Sequence, residues 1–134
     1  MSYELMMSRI DNEVISGNDL EKSTIKNKGL KFDDKKSWTN LYNYVALYSI
    51  DDNWDFLIGL SENKSYAITI SPDHPKWDIV CKIADDLNLI IYGEENEIYY
   101  IPNIGSPSKH LDFANVQQLY KGGIKDIKEI ISKF

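Results

Sequence analysis

The sequence predicts an α+β fold in which a single mixed, mostly antiparallel sheet packs against a central helix and C-terminal helices. Stretches in which every second residue is apolar are followed by stretches whose apolar residues recur at three- and four-residue steps. The chain has 134 residues and is 43% hydrophobic, which suffices for one core but not for two ordinary domains. We therefore expect one globular domain over residues 1–134.

The N-terminal half predicts strands that are interrupted by a polar segment. Residues 1–12 carry apolar side chains that fit a strand slightly better than a helix. Residues 12–36 are rich in Lys, Asp, Asn and Gly, and we expect a long polar loop there. Residues 38–50 and 54–60 resume the strand period. The tight turns that follow each of them predict an antiparallel meander with the next strand.

A strand and an amphipathic helix follow. Residues 65–71 alternate between apolar and polar side chains, as a strand with one apolar face does. Pro75 suits the first turn of a helix because its missing N–H is not needed there. From there an apolar stripe runs at three- and four-residue steps opposite a charged face. The stripe predicts buried positions at Trp77 and Ala84 and exposed positions at Asp78 and Asp85.

The helix should lead into a hairpin. Residues 89–92 are a short apolar strand, expected to lie parallel to the preceding strand through a right-handed crossover. Residues 93–96 form a turn, and residues 97–101 return antiparallel. The same helical period, with paired glycines as a break, predicts two C-terminal helices at residues 111–121 and 124–134.

Acidic residues are concentrated between residues 51 and 97. That segment holds eleven Asp and Glu against three Lys, a formal charge of −8, whereas the rest of the chain carries +2 and the whole chain −6. A field of this sign repels nucleic acid and anionic membranes, so we expect neither as a partner. It suits a basic protein. The alternative is that the acidity only promotes solubility.

The residues that we predict to bind a partner lie on two hairpin turns. If both turns project from one sheet, their carboxylates form a joint rim, and tyrosine beside carboxylates adds contact area and a hydrogen-bonding hydroxyl. The predicted partner-binding residues are Asp51, Asp52, Asp55, Glu94, Glu95, Glu97 and Tyr99.

Catalytic and metal signatures are missing from the sequence. Phosphate-binding glycine loops, a nucleophile elbow and zinc or calcium spacings do not occur. We therefore expect no enzymatic activity, no metal and no cofactor. Cys81 lies in the middle of the apolar stripe, where a packed core residue is the expected role. The alternative is a small enzyme or ligand-binding domain with a site near Asp73, His74 and Cys81.

The compartment follows from cysteine content and hydropathy. A single cysteine cannot form an internal disulfide, and we find neither an apolar run of membrane-spanning length nor a secretion leader. These features predict a soluble cytoplasmic protein.

Three motifs resemble those of a known protein family: ITISPDHP at residues 68–75, IADDL at 83–87 and YGEENEIY at 92–99. They resemble small acidic bacterial immunity proteins encoded beside polymorphic toxins, including those of contact-dependent growth inhibition systems. The resemblance implies a non-enzymatic inhibitor that binds a cognate toxin domain, often a nuclease, and blocks its active site or a nearby surface. No individual toxin-contacting residue can be transferred. A structural subunit of a phage or larger complex is a further alternative.

Overall fold

The computed structural model describes residues 4–16, 19, 30–33, 44–50, 58–61, 64–65, 68–70, 72 and 77–134. It confirms the α+β class. The described strands are β1 (Leu5–Ser8), β2 (Ile15–Ser16), β3 (Leu30–Asp33), β4 (Tyr44–Ile50), β5 (Ile58–Ser61), β6 (Lys64–Ser65), β7 (Ile68–Ile70), β8 (Ile90–Tyr92) and β9 (Ile98–Tyr100). The described helices are α1 (Trp77–Leu87), α2 (Phe113–Lys121) and α3 (Ile127–Ser132). Within these ranges, every helix is too short or too polar to cross a membrane.

The described strands form two sheets instead of the single mixed sheet that we expected. One has the order β7-β1-β8-β9 and the other the order β2-β6-β5-β4-β3, and their pairings are antiparallel. The predicted strand at residues 65–71 is divided between them: Ser65 pairs with Ile15, whereas Ile68 pairs with Met7. Apolar alternation looks the same whichever sheet a strand joins, so the pattern alone could not reveal this division.

Strand β1 lies between the two strands that flank α1. Met7 pairs with Ile68 of β7 on one side and with Ile91 of β8 on the other. Because both neighbours are antiparallel to β1, they run parallel to each other, as predicted for residues 89–92. The inserted strand was not foreseen, since pairing over such a sequence distance leaves no local signal.

The segment predicted as a polar loop, residues 12–36, contains the short strands β2 and β3. Each lies at an edge of the five-stranded sheet, β2 beside β6 and β3 beside β4. Hydrogen bonds between backbone groups hold β2 and β3 in the sheet, and an edge strand has a neighbouring strand on one side only. Polar side chains are therefore compatible with an edge strand.

The four-stranded sheet separates two apolar clusters. On one side, α1 contributes Val80, Ile83, Ala84 and Leu87, which pack with residues of β1, β7 and β8 including Ile91. Ala84 is buried and Asp78 exposed, as predicted, whereas Trp77 is only partly buried against this cluster.

The second cluster joins the other face of β8 to the C-terminal helices. Ile90 packs there with Phe113, Val116 and Ile130, and the rings of Tyr92 and Phe113 stack at a centroid distance of 3.9 Å. Both helices begin at an aspartate whose side chain accepts a backbone N–H: Asp112 caps α2 and Asp126 caps α3. Alternate residues of β8 thus pack into the two clusters on opposite faces of the sheet.

Arg9, the single arginine of the chain, connects the end of β1 to the end of α1. Its Nε donates to the carbonyl of Leu87 at 2.9 Å, and Nη1 donates to the carbonyl of Val14 at 2.6 Å. Nη2 lies 3.6 Å from the carboxylate of Asp19. A cation here is favourable because the last carbonyls of a helix carry partial negative charge.

Replacing Ile83 with alanine should lower the free energy of unfolding by about 2 to 5 kcal/mol, because its side chain is 1% exposed and its loss leaves a cavity. The adjacent exposed Lys82→Ala is the matched control and should stay within about 0.5 kcal/mol of the parent. Urea denaturation measures both. Equal midpoints for the two variants would contradict the assigned helix face.

Asp19 should give the stability an acid-sensitive component. Burial raises its pKa, but hydrogen bonds from Ser16 and the charge of Arg9 outweigh burial and lower it below the ordinary 3.8. The stabilisation is therefore present above pH 3.8 and is lost as the pH falls through the lower folded value. Between pH 5 and 2, Asp19→Asn should lose less stability than the parent, and Glu13→Gln should behave like the parent.

Candidate functional site

The predicted turn between β8 and β9 is present and is fixed by its own hydrogen bonds. The Gly93 N–H donates to the Glu97 carbonyl at 2.8 Å, and the Asn96 N–H donates to the Gly93 carbonyl at 3.0 Å. Asn96 has φ 66°, in the left-handed region that asparagine tolerates better than most residues. Glu94 and Glu95 are exposed at the tip. We call residues 93–97 the acidic turn.

The chain just before α2 holds the acidic turn from outside the hairpin. The Phe113 N–H donates to the Asn96 carbonyl at 2.7 Å, and the Ile98 N–H donates to the Leu111 carbonyl at 3.0 Å. An antiparallel bridge sets Glu97 opposite Asp112. The acidic turn is thus attached to the core through α2, and its carboxylates start from a fixed backbone.

Glu97 is the most unusual residue of the acidic turn. It is half-buried, and its Oε1 is buried without a hydrogen-bond partner among the described residues. A buried acceptor that lacks a donor costs about 1 to 3 kcal/mol. This local arrangement favours an added positive group.

Tyr99 is displayed by a β-bulge. The pairs Ile91–Tyr100 and Tyr92–Ile98 are adjacent on β8 but two residues apart on β9, so Tyr99 is the extra residue. Its side chain is 42% exposed. Desolvation, followed by the charges of Glu97 and Glu95, raises the pKa of Tyr99 above 10.0. The hydroxyl therefore stays protonated and can donate a hydrogen bond at neutral pH.

The other predicted binding residues, Asp51, Asp52 and Asp55, lie outside the described residues. The strands that flank them, β4 and β5, belong to the five-stranded sheet, whereas β8 and β9 belong to the four-stranded sheet. The single sheet on which the joint rim was predicted is therefore not present among the described strands, and the placement of Asp51, Asp52 and Asp55 stays a prediction. Within the described residues, Glu94, Glu95, Glu97 and Tyr99 lie together on one hairpin.

Asp85 has contacts that the sequence did not predict. It is half-buried instead of exposed, because its Oδ1 accepts the Tyr100 hydroxyl at 2.7 Å and the Asn103 N–H at 2.7 Å. Burial, then the hydrogen bond to Asp85 and its charge, strongly raise the pKa of Tyr100. These bonds hold the turn after β9, which presents Ile104 with 43% exposure. Asparagine and glycine at 103 and 105, both with positive φ, were the available sequence signal.

The alternative site near Cys81 can be described only in part, since Asp73 and His74 lie outside the described residues. Cys81 is half-buried, not fully packed in the core as expected. Burial, followed by the charges of Asp85 and Asp78, raises the pKa of its thiol above 9.0. Nucleophilic chemistry needs the opposite shift. The described part of the chain contains no group of three or more His, Cys, Asp or Glu residues that could hold a metal ion.

Comparison with protein-family models, with curated proteins and with solved structures gives no significant match to this chain.

The Cys81 thiol should react slowly with Ellman's reagent at pH 8 in the native protein and quickly in urea, because its raised pKa keeps it protonated. Asp78→Asn should increase the native rate a few-fold by removing a negative charge. Glu94→Gln, a matched change on the acidic turn, should leave the rate unchanged. Fast native labelling of the parent would contradict this assignment.

Proposed function

We propose that this chain is a cytoplasmic, non-enzymatic immunity protein that binds and neutralises a cognate toxin domain, a basic nuclease-type domain, by electrostatic and shape complementarity. The observation that carries the proposal is the hairpin surface: an exposed tyrosine on a β-bulge, beside three glutamates on a turn of fixed backbone. The resemblance of residues 68–99 to immunity proteins supplies the class of partner.

Tyr99 has the properties of an interface anchor. Tyrosine is enriched among residues that contribute most to binding, since its rigid ring gives a large contact area and its hydroxyl can hydrogen-bond. The hydrogen bond from the neighbouring Ile98 N–H to the Leu111 carbonyl holds the backbone beside Tyr99, so less backbone freedom is lost when a partner binds.

The carboxylates have two separate roles in the proposal. Exposed Glu94 and Glu95 attract a basic partner over a distance of about 10 Å at 0.1 M salt and so increase the association rate. Glu97 acts at short range. If the Glu97 side chain turns outward on binding, a lysine or arginine of the partner would supply the donor that Oε1 lacks in the free chain.

Charge reversal on the acidic turn tests the proposal. The partner is the toxin domain encoded beside this gene, produced in a catalytically inactive form. Glu94→Lys/Glu95→Lys should reduce its association rate about tenfold at low salt and weaken the salt dependence of that rate, with a smaller effect on dissociation. Surface plasmon resonance measures both rates. In cells that express the active toxin, the parent chain should restore growth.

The matched control is Glu13→Lys/Glu129→Lys, which changes the net charge equally at two exposed positions away from the hairpin. It should alter the association rate much less. An equal effect of both double variants would show that only overall charge matters. Unchanged rates with the hairpin variant would exclude this surface, and failure of the parent to bind or protect would refute the immunity function itself.

A further inference from the structure

A cleft of about 160 Å³ lies where the chain after β1, the α1–β8 junction and the loop between α2 and α3 meet. Ile90, Pro102 and Ile127 form its apolar wall, and Asp11 and Lys125 line it as well. Its volume is comparable to that of cavities that accommodate a benzene-sized molecule. The proposed toxin surface does not use any of these residues.

Lys125 is held in place beside the cleft. Its Nζ donates to the Tyr120 carbonyl at 3.0 Å and lies 4.1 Å from the centre of the Tyr120 ring. An ammonium group has three donors, so the bond to Tyr120 leaves two that can reach an anionic group. The contact with the ring orients the side chain before any ligand arrives.

Asp11 is held in the turn that follows β1. One oxygen of its carboxylate accepts the Glu13 N–H at 3.0 Å, which restricts the side chain. The segment is attached to α2 by Gln117, whose amide donates to the Ile10 carbonyl at 3.2 Å and to Asn12 Oδ1 at 3.1 Å. The cleft thus has an acceptor and a donor of opposite charge on two elements that are bonded together.

We propose that this cleft binds a free α-amino acid with a medium-sized apolar side chain. Its carboxylate would contact Lys125, its ammonium group Asp11, and its side chain Ile127 and the ring of Tyr120. A ligand of one sign would be attracted by one of the two charged residues and repelled by the other. A zwitterion complements both, and the apolar wall selects its side chain.

Titration of the ¹⁵N-labelled protein with L-leucine and L-phenylalanine tests the proposal by NMR. Saturable shifts are expected at the amides of Ile90, Lys125 and Ile127 for at least one of the two. N-acetyl-L-leucine lacks the ammonium group and L-leucinamide lacks the carboxylate. Each should bind about tenfold more weakly than L-leucine, since a charge-assisted hydrogen bond is lost.

Two variants assign the binding to the charged pair. Lys125→Met and Asp11→Asn should each weaken amino-acid binding about tenfold. Lys128→Met, on an exposed position of α3, should leave it unchanged. All three positions are exposed, and the dispersion of the ¹⁵N spectrum checks the fold. Absence of saturable shifts, equal binding of L-leucinamide, or equal affinities of the Lys125 and Lys128 variants would overturn the proposal. Toxin binding, measured separately, does not depend on this outcome.

Discussion

The four-stranded sheet depends on the burial and pairing of β1. This strand hydrogen-bonds to β7 through one edge and to β8 through the other, and Leu5 and Met7 are almost completely buried within it. Without β1, the two strands that flank α1 would have no common neighbour, and α1 would have no continuous sheet to cover. Arg9 reinforces the same connection, since it follows β1 directly and donates to the carbonyl of Leu87, the last residue of α1.

The candidate binding surface follows from this arrangement. Because α1 packs on one face of β8 and the C-terminal helices pack on the other, both faces of the sheet are covered near β9. The end of the hairpin and the extra residue of the β-bulge stay exposed to solvent. Tyr99 and the acidic turn occupy these positions, and the contact of Asn96 and Ile98 with the start of α2 holds them there.

Local signals predicted the local elements. The apolar stripe of α1 identified Ala84 as buried, and the turn residues between β8 and β9 identified Glu94 and Glu95 as exposed. Non-local features were not predictable in the same way. The place of β1 in the sheet depends on strand pairing over long sequence distances. Tyr99 was among the predicted binding residues, but the β-bulge that carries it depends on a one-residue shift in register, which the alternation of β9 does not encode.

The place of β1 has a consequence for biosynthesis. Met7 leaves the ribosome more than 60 residues before Ile68 and more than 80 before Ile91, its two partners. At about 5 to 20 residues per second, the nascent chain must keep this apolar strand unpaired for several seconds. The hairpin that carries Tyr99 is translated later still. The four-stranded sheet can therefore be completed only after β8 and β9 have been synthesised, and until then β1 is an unpaired apolar strand that is exposed to aggregation or chaperone binding.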